Sequence, residues 1–75
     1  MHIDKLVHMA NQIGAFFEAM PDHQEAVEGI AQHLKKFWEP RMRRELFAAI
    51  DAGTAGSALL PIVREALEAR RQSLV

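Results

Sequence analysis

Cysteine is absent from the chain. Disulfide scaffolds, thiol nucleophiles and cysteine-based zinc sites are therefore excluded. Serine is confined to Ser57 and Ser73, neither with a histidine near it in sequence, so no serine nucleophile with its base is indicated. Proline and glycine are sparse, at three and four. They form no linker, no repeat and no glycine loop leading into a lysine, the signature of a phosphate cradle. No apolar run approaches the about 18 residues of a membrane helix. Asp4 and His8 interrupt the stretch that a signal peptide would keep apolar. A cytoplasmic chain without membrane association is expected. Surplus charge is missing as well. Nine basic and ten acidic residues leave a net charge of −1 and a pI near 6.4. A nucleic-acid-binding domain is usually basic, so nucleic acid is not an expected partner.

What is present is one small domain. The chain has 75 residues, 49% of them hydrophobic and 25% charged, which is too apolar for a disordered segment. A chain of this mass should keep about 4,700 Å² of surface and bury about 60% of what it exposes unfolded. Stability is then marginal without a partner or a second copy. Substrate pockets run to roughly 300–1,000 Å³, so a free-standing enzyme is not expected.

Pro21, Pro40, Gly53, Gly56 and Pro61 cut the chain into four segments, each with helical periodicity. The first carries Leu6, Met9, Ala10, Ile13, Phe16, Phe17 and Met20 on one face and is predicted helical over about residues 4–20. The second, about 23–38, starts with Asp22 as cap and Glu25 in a capping-box position. Its stripe is Val27, Ile30, Ala31, Leu34, Phe37 and Trp38. The third, about 40–52, opens on Pro40, carries Met42, Leu46, Ala49 and Ile50, and ends at Gly53 as a left-handed cap. The fourth, about 58–72, takes Ser57 as cap, with Pro61 in its first turn. The expected fold is all-α: one domain over 1–75, a compact bundle of four short helices with a sharp proline junction between helices two and three.

Chemistry-bearing clusters are few. His2, His8, His23 and His33 include no pair at metal-ligand helical spacing, and no catalytic or metal-binding residue is assigned. Gly14 and Gly29 sit inside helices, where glycine costs roughly 1 kcal/mol relative to alanine, and point to close backbone packing. The basic run Lys35, Lys36, Arg41, Arg43, Arg44 encloses Phe37 and Trp38. Arginine binds phosphate and carboxylate bidentately, and Trp and Arg are enriched in binding hot spots. Adjacent apolar pairs recur: Phe16–Phe17, Phe37–Trp38, Leu46–Phe47, Leu59–Leu60 and Ile62–Val63. Neighbours on a helix diverge by about 100°, so a small bundle covers both members with difficulty. At least one pair is expected to form a docking surface.

Two blocks carry a family resemblance. Lys5-Leu6-Val7-His8-Met9-Ala10-Asn11-Gln12-Ile13-Gly14-Ala15-Phe16-Phe17, followed by Ile30-Ala31, His33-Leu34 and Phe37-Trp38-Glu39-Pro40-Arg41-Met42-Arg43, resembles the delta subunit of NAD-dependent, molybdenum-containing formate dehydrogenases. The resemblance spans about Asp4 to Leu67; beyond Val63 it is only general helical character. It implies a non-catalytic accessory subunit of a cytoplasmic enzyme. It also implies that the catalytic subunit carries bis-molybdopterin guanine dinucleotide and iron–sulfur clusters, and that this chain holds no cofactor itself.

The expected role is docking on that catalytic subunit in support of its assembly or stability. The expected contact surface is Phe37, Trp38, Arg41, Met42 and Arg43, with Lys36 and Arg44 on its rim. Two alternatives compete. One is a transient maturation factor that assists molybdenum cofactor insertion and holds a phosphorylated pterin on its arginines. The other is a small helical nucleic-acid-binding or regulatory module. For the isolated chain, a monomer and a homo-oligomer paired through the apolar surface both stay open.

Overall fold

The first helix, α1 (Ile3–Glu18), follows the apolar spacing of its sequence and buries Leu6, Val7, Ala10 and Gly14. A computed structural model describes residues 2–75 of the chain. The His2 ring caps α1, with Nδ1 accepting from the Asp4 amide at 3.3 Å. Asp4 lies in the first turn, where the helix dipole favours an anion. In α2 (His23–Phe37), Asp22 Oδ1 accepts from the Glu25 amide at 3.1 Å, which is half of the anticipated capping box. Helix α3 (Pro40–Asp51) starts on its proline. It ends in a Schellman motif, with the Thr54 amide on the Ala49 carbonyl and the Gly53 amide on that of Ile50. Gly53 takes φ +79°, so the left-handed cap forms where the sequence put it.

The last segment departs from expectation. Instead of one helix over 58–72 there is a single 3-10 turn at Gly56–Ala58, then α4 (Pro61–Ala69), then a short α5 (Arg71–Leu74). Ser57 does not cap a helix. The residue before a proline avoids the α region, and Leu60 is extended at φ −59°, ψ 143°. Pro61 therefore opens α4. The broken stretch leaves polar backbone to satisfy, and Asn11 of α1 does so twice. Its amide nitrogen donates to the Ala58 carbonyl at 2.9 Å, and its oxygen accepts from the Leu60 amide at 2.9 Å. A second break at Arg70 (φ −122°) turns Leu74 into the core, where it is fully buried.

Helix α1 packs on α2, α3 and α4, and α2 packs on α4 and α5. Helices α2 and α3 do not pack along one another, as a junction of Trp38 and Glu39 alone requires. Leu6, Ile30, Leu34, Leu46, Val63, Leu67 and Leu74 form the fully buried centre, each worth roughly 1.5–3 kcal/mol of burial. The folded surface is 4611 Å², as mass scaling anticipates. Gly14 brings α1 against α4, because a Cβ there would overlap Val63 Cγ2.

Two arginines tie the far end together. Arg71 lies over the Phe47 ring at 4.6 Å and holds Asp51 in a two-point ion pair at 2.8 and 3.1 Å. The hydrogen bond from Arg71 holds the Asp51 carboxyl below the usual carboxylate range. Arg43 is buried at 7% exposure. Its Nε donates to the Leu74 carbonyl at 2.7 Å. Its Nη1 lies on the carbonyls of Trp38 at 2.6 Å and of Leu34 and Lys35 at 3.3 Å each. These carbonyls lie at the C-terminal ends of α2 and α5, where intrahelical donors run out, and that of Leu34 also accepts the Trp38 amide at 3.1 Å.

Arg43→Ala is expected to lower unfolding free energy by about 3 kcal/mol, because it strands buried carbonyls; urea denaturation measures it. Gly14→Ala is expected to cost about 1–3 kcal/mol by overpacking, visible as a lower melting temperature despite alanine's better helix propensity.

Candidate partner-docking surface

The adjacent apolar pairs sort themselves by which member is covered. Leu46 and Phe47 are both buried, as are Ile62 and Val63. Leu59 is buried with Leu60 packed against the core. Two pairs split. Phe37 is 72% exposed beside a buried Trp38, and Phe16 is 74% exposed beside a half-buried Phe17.

The split pairs belong to one surface. The Phe16 and Phe17 rings meet edge-on at 5.2 Å. Phe17 then meets the His33 ring at 6.4 Å, and His33 lies 4.8 Å from Phe37. This ladder crosses from α1 to α2. Its floor is Gly29, where a Cβ would come within 2.5 Å of the Phe17 ring. Beside it opens a groove of about 420 Å³, lined by Met9, Gln12, Ile13, His33, Phe37, Trp38 and Met42. The lining is apolar apart from Gln12 and His33. His33 Nδ1 is buried with no hydrogen-bond partner, an arrangement that calls for an explanation.

The residues nominated from sequence are distributed over this surface unevenly. Of the residues expected to contact a partner, Phe37 and Met42 line the groove. Trp38 also lines it, but at 5% exposure it is a wall packed into the core, not an accessible anchor. Trp38 continues the stripe of α2, and the arginine behind it holds its carbonyl. Arg43 is corrected more fully: its guanidinium turns inward to the carbonyls and offers no free surface charge. Arg41 is exposed and paired with Glu45 at 3.4 Å. Lys36 and Arg44 are exposed with no ion-pair partner among the described residues. The basic run therefore does not assemble into one patch.

Sequence reasoning missed Met9, Gln12, Ile13, Phe16, Phe17 and His33 as parts of this surface. Met9 and Ile13 read as ordinary core stripe, and they are half-covered against it. The Phe16–Phe17 pair was the available signal. Elsewhere, His23 Nε2 lies 2.8 Å from Glu65 Oε1 on an exposed site. Among the described residues no three His, Asp or Glu side chains converge to hold a metal ion. No described helix is long and apolar enough to cross a membrane.

Comparison with known families matches residues 5–67 to the model described as NADH-dependant formate dehydrogenase delta subunit FdsD. The chain belongs to the FdsD family. Comparison with curated proteins and comparison with solved structures give no match. The FdsD match takes in every residue of the aromatic ladder and of the groove. In this FdsD-family chain the pieces from α1 and α2 thus form one apolar surface within the matched region.

The two members of the Phe37–Trp38 pair should respond oppositely to truncation. Trp38→Ala is expected to destabilise the free chain by about 3 kcal/mol or more, whereas Phe37→Ala should stay within about 0.5 kcal/mol. Thermal unfolding monitored by circular dichroism compares them directly.

Proposed function

We propose that this chain is a non-catalytic accessory subunit that seats its Phe16–Phe17–His33–Phe37 face on the catalytic subunit of a formate dehydrogenase. In doing so it supports that subunit's assembly or stability. The observation that carries the reading is the pair of phenylalanines, Phe16 and Phe37, left about three-quarters exposed on one apolar ladder. A monomer this small gains nothing from holding them in water, whereas aromatic anchors over an apolar groove are what an interface core uses. Family membership alone supports association with a formate dehydrogenase complex; the choice of the catalytic subunit is ours.

On this reading the chain works in the cytoplasm and holds no cofactor. The bis-molybdopterin guanine dinucleotide and the iron–sulfur clusters belong to the catalytic subunit. Direct binding of a phosphorylated pterin by the arginines gains no support, since Arg43 faces inward and Arg41 is paired.

The test is co-purification of the enzyme with the double variant Phe16→Glu, Phe37→Glu. Each anchor is expected to contribute about 2 kcal/mol, so losing one weakens binding roughly thirtyfold. The variant should drop out of the complex while keeping its free melting temperature. Molybdenum content and formate-dependent NAD reduction of the recovered enzyme then separate cofactor insertion from structural support. Wild-type recovery of the double variant would overturn the reading.

A further inference from the structure

We propose that His33 makes docking proton-dependent: the face binds its partner when the His33 imidazole is neutral and lets go when it is charged. This rests on the docking reading above and adds a regulation to it.

Among the described residues, His33 Nδ1 is the buried side-chain nitrogen or oxygen that lacks a hydrogen-bond partner. Neutral imidazole tolerates that position, because an unprotonated Nδ1 presents a lone pair and no stranded proton. Imidazolium does not, since both ring nitrogens must donate. A proton on Nδ1 would find no acceptor among the described residues. In the free chain the open groove lets water stabilise the charge from the exposed side. A partner seated over Phe37 and Phe16 removes that water, and desolvation disfavours the charged form.

The neighbours offer little compensation. From α1, the side chains at the ring are Met9, Gln12, Ile13 and Phe17, none titratable. The nearest ionisable positions on that helix are Lys5, His8 and Glu18. From α3, Met42 lines the groove. Glu39, Arg41 and Glu45 border a separate hollow beyond Met42, with Arg41 and Glu45 paired. On its own helix His33 is followed by Lys36, whose charge opposes a second cation. No carboxylate lines the groove. The Phe37 ring attracts a cation, but at a 44° tilt it provides no acceptor for Nδ1–H. Histidine titrates in the range where such a switch operates.

The experiment measures the dissociation constant for the purified catalytic subunit at about pH 8 and about pH 5.5, at constant ionic strength. Wild type is expected to bind at least about tenfold more weakly at the lower pH. His33→Phe should bring that ratio close to one, whatever its absolute affinity. His23→Gln, at a histidine that pairs with Glu65 and does not line the groove, should keep the wild-type ratio. In parallel, the His33 ring proton signals of the wild-type chain should titrate at lower pH in the complex than in the free chain. That arm needs no variant to fold. A ratio unchanged by His33→Phe, or a His33 titration unmoved by docking, overturns the proposal. Failure of the docking reading looks different: Phe37→Glu would then bind as wild type does at both pH values.

Discussion

The fold depends on how a buried cation is satisfied. Arg43 carries its charge into the interior with no carboxylate beside it; its guanidinium lies on the carbonyls of Leu34, Lys35, Trp38 and Leu74. Those oxygens stand at the negative ends of two helices, so the dipoles supply what a counter-ion would. The arrangement fixes three things together. The end of α2 cannot fray, the α2–α3 corner cannot swing, and α5 must return to the same place. Trp38 is held as a wall because its carbonyl is part of this cluster. Met42, one residue before Arg43, is set toward the groove by the same anchoring.

The groove is therefore a consequence of the corner. A two-residue connection of Trp38 and Glu39 leaves α3 no way to lie along α2, and the space between α1, the end of α2 and the start of α3 stays partly open. Core side chains fill it from below, through Trp38 and Met42. Phe37 is left above, on the neighbouring side of the helix. The split of the Phe37–Trp38 pair follows from a helix that is covered on one flank and ends at a sharp turn.

Helix positions were legible in the sequence because punctuation and periodicity agreed. Pro21, Asp22, Pro40 and Gly53 each act as their chemistry dictates, and the three first helices end within about two residues of the expected limits. The fourth was misjudged for a local reason. The pre-proline restriction applies at Leu60 as it does at Glu39, and the apolar run from Leu59 to Val63 concealed it. Asn11 repairs that break from 49 residues away, a pairing no periodicity could reveal. The site was half legible. The sequence marked the adjacent apolar pairs but could not say which member of each would be covered. Arginine within a basic run reads as surface, and only the convergence of two helix ends made Arg43 an interior residue.

Rigidity gives this surface its character. The Phe17 ring rests on the bare backbone of Gly29, and a side chain there would displace it. Trp38 is packed and held from behind. Such a face loses little conformational freedom on binding, and preorganisation of this kind raises affinity without added area. An isolated chain bears the penalty of two exposed phenylalanines. That penalty disappears when the face is covered. The same residues that make the free chain imperfect are those that a partner would make complete, and stability and recognition therefore meet in the corner built by Arg43.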